Sequence, residues 1–288
     1  ENKPIVLTMG NFGGGGYETA GGWQAGNPSS IPAIQYYLKD RLSSSDVTIN
    51  IYDANNKLMQ TLPGTKRKGI NKIFWNLRMT PPKTATGGTK MDYGGFIAPM
   101  VLPGTYTMKL KVGDKEYSSP MVLEHNASNK NFTLADRKLQ FKTAMELYNL
   151  HEELASLVDD INGKQKALKS QVETVTDSKT KVFLNEYNSK LEVLRADLLS
   201  TKQVSIFAEE ERLREKITNV YAAICTQEAA PSNSQIANAE FLEKQVKDAG
   251  QKEKAINEKY AAKAKTIAEK NDLQINPKSK VTNAGITK

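Results

Sequence analysis

A chain of 288 residues is long enough for one large domain or two of ordinary size, and either can bury a real core. Hydrophobic residues make up 39% and charged residues 25%, and no apolar run approaches the roughly 20 residues that cross a bilayer as a helix. The net charge of +8 would suit nucleic acid only if it were gathered on one surface; lysines are instead interleaved with glutamates through the second half, which predicts a solvated basic surface.

Residues 1–30 are a glycine-rich lead, with Gly13 to Gly16, Gly21-Gly22, Gly26 and Asn27-Pro28. Such a run orders poorly alone. A phosphate loop would need a lysine and a Ser/Thr after its last glycine at a helix start, and that spacing is missing. The lead reads as a linker or a loop packed against something else, with Phe12, Tyr17 and Trp23 as anchors. Glu1 is followed by no basic-then-apolar leader, so the expectation is a processed protein or an excised fragment.

From Ile34 to Leu123 the pattern is all strands. Val47, Ile49 and Ile51 alternate, Asp53-Ala-Asn-Asn56 makes a turn, and Lys57 to Leu62 returns as the second arm of a hairpin. The basic run Lys66-Arg67-Lys68 sits in a turn region. Ile70 to Leu77 is rich in β-branched and aromatic residues, and Trp75 is the candidate core filler. Thr80 to Pro99 is too long for a hairpin and reads as a crossover or surface excursion. Beyond it Tyr106, Met108, Leu110 and Val112 fall on one face, and Thr105, Thr107, Lys109 and Lys111 on the other. Gly113-Asp114 is a two-residue hairpin signal.

At Asn126 the period changes to helical spacing. Thr133-Leu-Ala-Asp136 resembles a capping box with aspartate in the glutamate's place. One stripe runs through Leu147, Leu150, Leu154, Leu157, Ile161, Leu168, Val172 and Val175, and a second through Phe183, Tyr187, Leu191, Leu194 and Leu198. A third takes Leu213, Ile217, Val220 and Ile224; a fourth, capped by Ser232 or Ser234, takes Leu242, Val246, Ala249, Ile256, Tyr260 and Ile267. Each has a narrow apolar seam and must lie against others. Breaks at Asp177-Ser178, Ser200 to Gln203 and Ala229 to Ser234 are short, which favours a bundle within one chain over a dimeric coiled coil.

The expected fold is therefore α+β in two domains: an immunoglobulin-like β-sandwich over 31–125 and an antiparallel bundle of three or four long helices over 126–275, with a flexible tail at 276–288.

Chemistry is sparse. His125 and His151 lack a metal-ligand spacing, and Cys225, among Val220, Tyr221 and Ile224, reads as a packed thiol with no placed histidine partner. A single cysteine also excludes an internal disulfide. Asp159-Asp160 and Glu209-Glu210-Glu211 look like solvated helix faces, while Asp53, Asp92 and Asp114 are turn residues. Asn126-Ala-Ser128 and Asn131-Phe-Thr133 match the glycosylation sequon. No catalytic, cofactor-binding or metal residue is assigned.

Three blocks carry a family likeness. Asn27-Pro-Ser-Ser-Ile-Pro-Ala-Ile-Gln-Tyr-Tyr-Leu-Lys39 resembles the strand that follows the β-propeller in bacterial sortilin-like, BNR-repeat proteins labelled as glycosyl hydrolases. Val47-Thr-Ile-Asn-Ile-Tyr-Asp53, Gly69-Ile-Asn-Lys-Ile-Phe-Trp-Asn-Leu-Arg78 and Val101-Leu-Pro-Gly-Thr-Tyr106 are similar to those proteins' immunoglobulin-like module. Leu213 to Ala223, Ala229-Ala-Pro231 and the last helix resemble their helical tail. Glu124-His-Asn-Ala127 departs from the family's Asp-Pro-Arg at the junction.

The resemblance implies an exported protein of the Bacteroidota, periplasmic, outer-membrane-associated or at the cell surface. It also implies a non-catalytic scaffold whose partners are envelope proteins and an upstream propeller. Contact with a glycan, through Tyr93 and Phe96, is the alternative, and a nucleic-acid binder is a third.

Overall fold

A computed structural model describes residues 4–7, 31–87, 97–200 and 210–271. The protein is mixed α/β, with seven strands and four helices among those residues. The strands are β1 Ile5–Leu7, β2 Ala33–Leu38, β3 Val47–Tyr52, β4 Leu58–Pro63, β5 Gly69–Phe74, β6 Gly104–Val112 and β7 Lys115–His125. The helices are α1 Leu134–Thr174, α2 Ser178–Leu198, α3 Leu213–Cys225 and α4 Asn233–Lys270. Five strands form one sheet in the order β1-β7-β6-β3-β4, and β2 pairs with β5 in a second.

Local sequence explains the antiparallel core of the large sheet. Along β3, Val47, Ile49 and Ile51 are buried and the residues between them are not. The β3–β4 turn is tied by Asp53, whose Oδ1 accepts from the backbone of Asn55 at 2.9 Å and Lys57 at 2.8 Å. Asn56 takes the left-handed conformation there. Gly113 does the same at φ +55° in the β6–β7 hairpin, where a side chain would be strained. The Lys66-Arg67-Lys68 turn is held by Lys66 on Asp46 and Lys68 on Asp40.

Two pairings are not evident from local sequence. The glycine-rich lead is not all linker: Ile5–Leu7 pairs in parallel with Leu123–His125, and Leu7 is fully buried. Three residues are too few to show a period. The other is β5, which skips its sequence neighbours and pairs antiparallel with β2, Ala33 facing Phe74 and Leu38 facing Gly69. Trp75 follows it into the core, its ring edge-on to Tyr106 at 6.1 Å and its Nε1 donating to the Arg78 carbonyl. Tyr106 donates its hydroxyl to the Leu102 carbonyl at 2.7 Å; burial, with the Asp53 charge adding, pushes its pKa up to about 12.

The helix starts follow their capping signals. Thr133 Oγ1 accepts from the Asp136 backbone, and Asp136 Oδ2 accepts from Thr133 N–H at 2.8 Å and from its hydroxyl. Those bonds, the hydroxyl first, hold the Asp136 carboxyl below the ordinary aspartate range. Asp177 caps α2 through Thr180, and Ser232 and Gln235 exchange bonds at the start of α4. With 38 residues, α4 is about 57 Å long. α2 ends at Leu198 and α3 begins at Leu213; of the break expected at Ser200 to Gln203, all but Ser200 lies outside the described residues.

All four helices contribute to one apolar core. Leu147, Leu154 and Ile161 of α1, Leu184 and Leu191 of α2, Ile217 and Tyr221 of α3 and Leu242 and Val246 of α4 belong to it. A polar network joins three of the helices. Lys164 of α1 pairs with Asp160 and with Glu253 of α4, Asn257 donates to Glu253, and Tyr187 of α2 donates to Asn257 at 2.7 Å. Burial works against the Lys164 charge, but the two carboxylates outweigh it and hold its pKa above the usual lysine value.

The chain divides into two compact units that are not consecutive segments. The first comprises Glu1–Thr80, Ala98–Phe141 and Gln227–Ala230; the second comprises Pro81–Ile97, Lys142–Thr226 and Pro231–Lys288. The period change at Asn126 falls just after β7, and the first unit runs on through the opening turns of α1. The chain thus passes between the units five times, after Thr80, Ile97, Phe141, Thr226 and Ala230.

Candidate functional site

The residues that could have carried chemistry are engaged in structural pairs. Asp159 binds Lys83, Asp160 binds Lys164, Glu210 binds Arg212 at 3.0 Å, and Glu211 accepts from Asn219. Glu209 and Asp92 lie outside the described residues. His125 stands against Phe132 with ring centroids 6.3 Å apart; His151 is buried with its ring edge-on to Tyr221 at 5.3 Å. Cys225 is a buried thiol. Among the described residues no three His, Cys, Asp or Glu side chains are grouped as a metal site, and no helix is long and apolar enough to cross a membrane. In the first sequon, Asn126 accepts from the Ser128 backbone; in the second, the Thr133 hydroxyl is committed to Asp136.

Each unit takes in a distant stretch of chain. In the first, Arg137 is buried over the Phe132 ring at 4.9 Å and donates to Glu228 at 2.8 Å, while Gln140 donates to the Gln227 carbonyl. In the second, Arg214 Nη1 donates to the Ala85 carbonyl at 2.9 Å, Tyr221 donates to the Ile97 carbonyl at 3.0 Å, and Lys83 pairs with Asp159. Gly87 fits closely there: a Cβ would come within 2.7 Å of Leu199 and 3.2 Å of the Ser200 carbonyl.

Two surfaces of the β unit stand out among the described residues. The first is the outer face of the β2–β5 sheet. Register puts Ala33, Gln35 and Tyr37 of β2 on one face with Phe74, Lys72 and Ile70 of β5. Tyr37 is 67% exposed, Ile70 73% and Phe74 55%, so this apolar trio faces water. Lys72 lies on that face opposite Gln35, and Lys39 and Lys68 adjoin the Leu38–Gly69 end of the pair, with Asp40 paired to Lys68. Tyr93 and Phe96, the aromatics expected to be exposed, lie outside the described residues.

The second is a cleft of about 560 Å³ inside the β unit. Its walls are the consecutive residues Ala33 to Tyr36 of β2 and Tyr117 to Val122 of β7, and Ile49, Trp75, Met108 and Leu110 supply apolar lining. A polar groove in the helical unit, lined by Gln165, Lys166, Lys169 and Glu192, is different in kind. There Arg195 and Gln165 bond Glu192, and Arg195 above all holds its carboxyl below the usual range.

No family model matches the chain, and no curated protein or solved structure matches it at a significant level.

Proposed function

We propose that this chain is a non-catalytic scaffold and protein-interaction module of an exported bacterial envelope or cell-surface protein, placed after a β-propeller in the manner of the sortilin-like, BNR-repeat family. The observation that carries the reading is the exchange of segments: each unit is completed by a stretch that the other unit's chain supplies. Such threading suits a connector that must hold its parts together. The structural pairing of Asp159, Asp160 and Glu210 further supports a role without catalysis.

The β unit is read as an immunoglobulin-like sandwich. In that reading β2, β3, β5, β6 and β7 stand as strands B, C, E, F and G, β4 as C′, and β1 as a short strand beside G. The Tyr106 hydroxyl bonding back to Leu102 supports it, because a tyrosine at the start of strand F makes this corner bond in such domains. The buried tryptophan sits after strand E instead of on C, and the B–E sheet has two strands among the described residues. The second unit is read as an antiparallel bundle, supported by the core that all four helices share.

A glycan-contacting accessory region is a second reading, favoured by the exposed Tyr37 and Phe74 on one sheet face. The full chain, expressed with a tag in a bacterium of the Bacteroidota, is expected to co-purify with envelope proteins and to turn over no aryl glycoside. Glycoside turnover would sink the non-catalytic reading. Glycan-array binding that is lost in both Tyr37→Ala and Phe74→Ala would replace the scaffold by the glycan-contacting role.

A further inference from the structure

The cleft and the exposed sheet face share one strand, β2. Trp75 N–H donates to the Pro32 carbonyl at 3.2 Å, which fixes the direction of every backbone group along β2. Groups alternate in an antiparallel pair, so Ile34, Tyr36 and Leu38 turn theirs toward β5, and Ala33, Gln35 and Tyr37 turn theirs away. Among the described residues β5 is the only strand paired with β2, so those three residues present an edge that no described strand covers. The cleft lies along this edge, since four consecutive β2 residues line it and both side-chain parities are among them.

We propose that this edge of β2 and the apolar cleft beside it are a docking site for an extended segment of a partner protein, which adds to the sheet as a third strand. This rests on the interaction-module reading and names its surface. A strand added to β2 sends alternate side chains to opposite faces. One set enters the cleft against Ile49, Met108 and Leu110 and must be apolar. The other lies on the outer face, where Lys39 and Lys72 make no ion pair among the described residues, and is favoured when acidic. The partner segment is therefore an alternation of apolar and acidic residues. About seven residues span the length of β2 and place three side chains in the cleft.

The test uses the full chain and a fluorescein-labelled peptide of four Glu-Val repeats. In the free protein, the amides of Ala33, Gln35 and Tyr37 are expected to exchange with solvent about tenfold or more faster than those of Ile34, Tyr36 and Leu38. Adding the peptide should protect them. Gln35→Pro removes the central donor of that edge while leaving the β5 pairing intact, and is expected to weaken binding about tenfold or more without lowering the melting temperature. A Lys-Val peptide should bind several-fold more weakly, and a Glu-Glu-Glu-Glu-Val-Val-Val-Val peptide not measurably.

Protection of all three amides in the free chain would mean that the protein's own segment, such as residues 8–30, already covers the edge, and would overturn the proposal. So would equal binding by Gln35→Pro, equal binding by the block peptide, or no saturable binding by the alternating one. Should Gln35→Pro unfold, the exchange pattern of the unaltered chain and its change with peptide decide alone. Failure here leaves the non-catalytic reading standing, because that reading falls only on glycoside turnover.

Discussion

Residues 1–125, cut where the strand pattern ends, are expected not to fold. The fragment keeps every described strand but loses Phe132, Arg137 and Gln140, all buried in the first unit, and Glu228, which pairs with Arg137. Losing a buried phenylalanine alone costs about 3–5 kcal/mol, against a total stability of about 5–15 kcal/mol for an ordinary domain. The exposed pocket around His125 and Met100 adds to that loss, since Phe132 and Arg137 cover them. The complementary fragment, 126–288, is expected to be weakened as well. It lacks Ala85, a buried member of the helical core, and Ile97, which packs against that core and whose carbonyl accepts from Tyr221. Circular dichroism melts and amide spectra of the two fragments check this. A cooperative melt with dispersed amide resonances from 1–125 would show the first unit to be self-sufficient.

The second large effect is expected at Arg214. Its side chain is 3% exposed, donates to the Ala85 carbonyl, and holds Glu215 through Nε at 2.8 Å. Glu215 in turn accepts from the backbone of Arg212 at 3.1 Å and Ser200 at 3.3 Å. Arg214→Met removes the cation and leaves the Glu215 charge buried beside it. Breaking one partner of a buried pair costs about 3–5 kcal/mol, whereas replacing both with apolar residues costs much less. Urea denaturation should therefore show a large loss for Arg214→Met and a smaller one for Arg214→Met with Glu215→Met together. A loss below about 1 kcal/mol for the single change would contradict the role assigned to the pair.

Much of the local structure could be read from residue order because its causes are local. The Gly113 turn between β6 and β7, the Thr133–Asp136 box, the Ser232 cap and the four helical stripes all rest on neighbours within a few positions. What could not be read depends on partners far apart in sequence. Arg137 and Glu228 are 91 positions apart, and Arg214 and Ala85 are 129 apart. Arginine in a helical pattern looks solvated unless its buried partner is known. β1 escaped notice because three residues inside a glycine-rich run carry no period. The exposed face was not read: the aromatics expected to be exposed were Tyr93 and Phe96, whereas Tyr37, Ile70 and Phe74 come together only through the pairing of β2 with β5, strands about 35 positions apart.

The exchange of segments makes the two units depend on each other, and the full chain can show this without any cut. Trp23→Phe leaves Trp75, buried in the β unit, as the single tryptophan, while far-ultraviolet ellipticity follows the helices. Thermal unfolding recorded by both signals is predicted to give one transition with coincident midpoints. Two separated transitions, with Trp75 released while the helices persist or the reverse, would contradict the account.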